Sequence, residues 1–195
     1  MNAARALITD GRRQRSEASR ERIVRAMLEL IGEGQVSPGA EAVAERAGVG
    51  LRTVFRLFEN MESLYQQLNA LMSAEILPMW ERPFAADDWK GRVFEAIERR
   101  IAIFERIMPM KIAADVHSHH SAFLAAQTAE MVRRQRAGLA ALLPEDARAD
   151  PSLIETLDLL LSFEAWRRLR KDQRLTRVRA REVVEHMAAR LLADR

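Results

Sequence analysis

In residues 40–64, AEAVAERAGVGLRTVFRLFENMESL, small, turn-forming and branched residues fall at the spacing at which two short helices cross. Ala44 supplies a small side chain where the helices touch. Gly48 supplies a turn residue that takes φ > 0 without steric cost. Val54 and Leu57 give the second helix a branched inner face. These four positions predict a helix over 40–47, a turn, and a second helix over 51–57. The outer face of that second helix carries Arg52, Thr53 and Arg56. Such groups can reach phosphates and base edges in a major groove.

Helical periodicity extends through the rest of the chain. Ile23, Val24, Met27, Leu28 and Ile31 form one apolar stripe that Gly32 and Gly34 stop. Asn60 is placed to cap a fourth helix, with Glu62 near its positive end. Leu64, Leu68, Leu71 and Met72 carry that helix to Pro78. Pro78 and Pro83 predict a break over 78–88. A long helix is expected over 89–108, ended by Pro109, then a short piece over 110–117 and a helix over 119–143. After the loop PEDARADP come helices over 152–171 and 177–193. No segment alternates polar and apolar residues as a half-buried strand does. The expected class is all-α, with about nine helices: an N-terminal three-helix helix-turn-helix head and a C-terminal antiparallel helical bundle. The expected division is a flexible basic arm over 1–15, the head over 16–60, and the remainder over 61–195.

Composition narrows the function classes. With 195 residues, the chain has ample length for a buried core. No apolar run approaches the roughly 20 residues that span a bilayer, and the first 20 residues lack the apolar stretch of a secretory signal. A cytoplasmic protein is the simplest expectation. Cysteine is absent, which excludes disulfides, thiolate catalysis and thiolate metal sites. The net charge of +3 is modest, but cations cluster. One group is Arg12, Arg13, Arg15, Arg20, Arg22 and Arg25. The other is Arg167, Arg168, Arg170, Lys171, Arg174, Arg177, Arg179 and Arg181.

Taken in order, an N-terminal helix, AEAVAERAGVG, LRTVFRLFENMESLYQQL and a divergent helical remainder resemble the TetR (tetracycline-repressor-like) family of transcriptional regulators. The sequence likeness covers about residues 17–72. The resemblance implies a dimeric regulator of duplex DNA, expected to be a repressor on a pseudo-palindromic operator. It implies that Val43, Ala44 and Ala47 form the core of the second helix. Thr53 then lies at a phosphate, Arg56 faces the groove, and Phe58 closes the head against the fourth helix. Phe55 stands where the family most often has tyrosine, Met61 where lysine is frequent, and Gly39 where a capping hydroxyl is common. The candidate DNA-contacting set is Arg20, Arg22, Arg52, Thr53, Phe55 and Arg56. The implied body binds a small effector and pairs with a second copy, here through 152–171 and 177–193.

An effector pocket lined by Trp80, Phe104, Met108, Phe123, Gln127 and Trp166 is the expectation for that body. It suits a hydrophobic or aromatic ligand. ADVHSHH, residues 114–120, is the one metal-like cluster. Asp115 and His119 are four apart and His117 and His120 three apart, so ligand pairs could share helical faces. A polar inter-helix turn accounts for the same residues, and no further ligand set is evident. No cofactor is expected. There is no Gly-rich phosphate loop, G-x-S-x-G elbow or H-E-x-x-H, so no enzyme is expected. The other reading of the chain is a helical ligand-binding or protein-interaction module without DNA activity.

Overall fold

The computed structural model describes residues 3–118 and 121–193, with side chains from residue 13 onward except those of 117 and 118. Ten α-helices follow one another: α1 Ala3–Gly32, α2 Ala40–Ala47, α3 Leu51–Leu57, α4 Met61–Glu81, α5 Trp89–Ser118, α6 Ala122–Leu142, α7 Glu145–Arg148, α8 Pro151–Leu160, α9 Phe163–Arg167 and α10 Arg177–Leu192. A short π-helical stretch, Arg168–Asp172, continues α9. No strand occurs among the described residues, so the all-α expectation is borne out.

Several boundaries differ from the sequence expectation. α1 begins at Ala3, so residues 3–15, expected as a flexible arm, continue the first helix. Ala and Arg, both good helix formers, make up most of that stretch. α4 runs through Pro78 and α5 through Pro109. Each proline forfeits one backbone N–H, but Pro78 lies in the last turn and Pro109 lies in a helix long enough to absorb the loss. The separate piece expected over 110–117 is therefore part of α5. The helix expected over 152–171 divides after Leu160. Ser162 starts α9 by accepting the Ala165 N–H at 3.1 Å.

The chain clusters into two compact units, Met1–Glu75 with Pro109–Leu124, and Ile76–Met108 with Ala125–Arg195. The first unit does not end at residue 60. Leu64, Tyr65 and Leu68 of α4 are buried with Ile23, Met27, Leu30 and Ile31 of α1, Val43 and Ala44 of α2, and Val54 of α3. Ala113 of α5 joins the same core. Asn60 caps α4 as expected, its Oδ1 accepting the Ser63 N–H at 2.9 Å. At the same end, Glu62 accepts a hydrogen bond from the buried Ser121 hydroxyl at 2.6 Å.

The second unit buries Ile97, Ile101 and Phe104 of α5 with Leu139 of α6, Leu157 of α8, Phe163 and Trp166 of α9, and Val184 of α10. Phe104 and Phe163 meet edge to face, 5.7 Å between centroids. Arg100 is 4% exposed and donates to the backbone carbonyls of Leu161 and Gln135 at 3.0 and 2.7 Å. Burial pulls its guanidinium down to about 10, and Asp158 opposes that shift. Glu105 accepts from Arg170 Nε and Trp166 Nε1 at 2.7 and 2.9 Å, tying α5 to α9 and the π-helical stretch. The Arg170 hydrogen bond holds the Glu105 carboxyl below its usual range.

Candidate nucleic-acid interface

The turn between α2 and α3 is set by backbone hydrogen bonds. Gly48 adopts φ 62 and ψ 40. Its N–H donates to Glu45 O at 3.1 Å, and the Val49 N–H reaches back to Ala44 O at 3.0 Å. This pair is a Schellman closure of α2, and its left-handed residue is the one that glycine takes without penalty. Val49 packs onto the first unit's core just after the turn. Gly50 then opens α3 in extended conformation without a side-chain cap. With neither start nor end capped by a side chain, α3 is held by what Val54, Leu57 and Phe58 bury.

α2 is fixed to α1 by charge as well as by packing. Arg46 donates two hydrogen bonds to Glu33, at 2.8 and 2.7 Å, and lies 3.6 Å from Glu29. The Arg46 hydrogen bond holds the Glu33 carboxyl below its usual range. This arginine is thus occupied within the fold.

Arg52 and Arg56 are in a different situation. Both are exposed. Among the described residues, neither makes a hydrogen bond or ion pair. With about 100° per residue, Val54 and Leu57 point inward and Arg52 sits almost opposite them. Phe55 and Arg56 flank Arg52 within about 60° on either side. Thr53 is half-buried at the edge of this face, and Phe55 is 49% exposed. Leu51, one turn before Phe55, is 37% exposed. Sequence reasoning passed over Leu51, although its four-residue spacing from Phe55 places the two on one strip.

The first helix contributes unevenly. The Arg20 guanidinium lies over the Phe58 ring, 4.9 Å from its centroid, so it covers the end of α3. Arg22 is exposed and donates to Ser19 Oγ at 3.4 Å. All six candidate contact residues belong to the first unit.

The residues expected to line an effector pocket fall in both units. Phe104 and Trp166 line a cavity of about 10 Å³ with Arg100, Ile97, Leu161 and Val184. That is room for about one water molecule. Met108 is buried, but it does not line this cavity, nor does the half-buried Trp80. Phe123 belongs to the first unit, and Gln127 is exposed. Of the six, Phe104 and Trp166 share this cavity. Asp115 accepts from Lys111 within α5. His119, His120 and the His117 side chain lie outside the described residues, and among those described no group of three metal-ligating side chains occurs. No described helix is long and apolar enough to cross a membrane.

No protein-family model matches this chain, and no curated protein matches it. Among solved structures, it is similar to a proposed transcriptional regulator from Streptomyces coelicolor A3(2). The match covers 89% of this chain and 97% of the other, with a TM-score of 0.57 and 23% sequence identity. The likeness is one of fold.

Proposed function

We propose that the chain is a transcriptional regulator that binds duplex DNA through α3. The observation that carries this reading is the pair of exposed guanidiniums of Arg52 and Arg56, unpartnered among the described residues, on a helix whose opposite face is buried. Folding of the unit uses Arg46 and partly uses Arg20, but leaves these two available. A guanidinium in a major groove can donate to O6 and N7 of guanine, and each such pair discriminates by about 1–3 kcal/mol. The fold likeness to a proposed regulator and the resemblance of residues 17–72 to the TetR family support the same reading.

The finer reading is a ligand-responsive repressor that binds a pseudo-palindromic operator as a homodimer. Pairing of two copies is proposed through α8–α9 and α10, residues 152–171 and 177–193. There Leu159, Val178 and Met187 remain exposed. The effector is proposed to be a hydrophobic or aromatic molecule admitted beside Phe104 and Trp166 when the small cavity there widens. A thermal-shift screen in which only strongly charged, non-aromatic compounds stabilise the protein would count against that effector class.

Selection of bound duplexes from random DNA, followed by anisotropy titration across a salt series, tests the central claim. The unmodified protein should select a consensus and bind it less tightly as salt rises. The double variant Arg52→Ala, Arg56→Ala should lose on the order of a hundredfold in affinity at unchanged helical content. Equal binding by the double variant refutes the role given to α3.

A further inference from the structure

Phe55 is an apolar ring, 49% exposed, on the face of α3 that carries Arg52 and Arg56, which have no partner among the described residues. Its neighbours on the inner face, Val54 and Leu57, are buried, so the helix had apolar positions to spare and still left this ring outside. With Leu51 one turn away, it forms a short apolar strip beside the Arg52–Arg56 strip. A strip of that kind is unusual for an element whose other exposed groups are cationic. A phenyl ring has no donor for a phosphate oxygen, so a backbone contact does not explain it. In the major groove the one apolar group on a base edge is the thymine 5-methyl.

We infer that Phe55 is a specificity-determining residue that reads a thymine methyl next to the guanine contacted by an arginine of the same helix. The inference rests on the DNA-binding reading above and adds the base chemistry of the site. The occupant of the apolar strip is duplex DNA, and the argument for it is charge complementarity. Arg52 and Arg56 draw the phosphate-lined groove onto this face and leave Phe55 against the base edges. The half-site therefore contains a thymine adjacent to a guanine, with the methyl against Phe55 and Leu51 closing the far side of the contact.

Deoxyuridine removes that methyl and nothing else, so the contact is testable without altering the protein. In a selected operator, each thymine is replaced in turn by deoxyuridine and affinity is measured by anisotropy. For the unmodified protein, one position per half-site should lose about fourfold, the worth of burying a single methyl. Phe55→Ala should bind the unmodified operator more weakly and show no further loss at that position. Phe55→Leu should retain part of the sensitivity, and it serves as the readout if the alanine variant is poorly folded. Binding by the unmodified protein that no deoxyuridine weakens overturns the inference. So does a sensitivity that persists in Phe55→Ala and disappears in Leu51→Ala. If selection recovers no salt-sensitive duplex at all, the DNA-binding reading itself fails, which is a distinguishable result.

Discussion

Tyr65 is the chain's single tyrosine, so alkaline titration addresses one position in the core of the first unit. Its ring is 4% exposed and packs with Leu64, Leu68 and the residues of α1. Burial disfavours the phenolate and pushes the phenol up to about 12, while the Ser37 hydroxyl works in the opposite direction. An unfolded chain releases the same proton at about 10. The folded state thus favours the neutral ring. That contribution is complete below pH 10 and is lost as the pH rises from 10 to 12, because the unfolded chain ionises first. Two pH units correspond to about 3 kcal/mol, a large part of the 5–15 kcal/mol that holds a typical domain together. Near-ultraviolet absorbance of tyrosinate follows this ring alone, and circular dichroism follows the helices. Tyrosinate should appear together with loss of helix well above pH 10 in the native protein, and near pH 10 in denaturant. Tyr65→Phe should stay helical to higher pH. Tyrosinate formed near pH 10 with the helical signal intact would refute the burial argument.

Gly48→Ala should cost about 1–2 kcal/mol in urea denaturation, since the left-handed backbone alone resists a side chain and a Cβ there meets nothing within 4 Å. Gly48→Asn should cost less, because asparagine tolerates that region better; equal losses would point to a clash instead. Arg100→Met should lower stability by about 2–4 kcal/mol by stranding the Leu161 and Gln135 carbonyls, and an unchanged urea midpoint would show that water replaces the guanidinium there. Leu159→Glu with Val178→Glu should give a monomer by light scattering at micromolar concentration. A persistent dimer would move the proposed pairing surface elsewhere.

The α2–turn–α3 segment was readable in the sequence because its signals are local. Gly48 requires a left-handed turn, and Val54 and Leu57 can reach a core only if α3 crosses α2. The prolines misled because a missing N–H marks where a helix is weakened, while packing decides where it stops. Burial of Ile101, Phe104, Ile107, Met108 and Ala113 carries α5 across Pro109. The break inside 152–171 did have a local signal, a serine three residues before a backbone N–H it could accept, hidden in a run rich in leucine. The effector set had no such signal. Whether Phe104 lines a cavity or fills a gap depends on partners about 60 residues away, such as Phe163 and Trp166. Composition does not encode those distances.

The closure at Gly48 and the core beneath α3 leave Arg52, Phe55 and Arg56 outside the head's internal bonding. If α3 reads DNA as proposed, substitutions at these positions alter what it reads with little effect on whether the first unit folds. Under the proposed DNA-binding role, target preference and stability are carried by different residues of the same seven-residue helix. A lineage carrying this scaffold could drift from one binding sequence to another through folded intermediates, each step selected for the site it recognises.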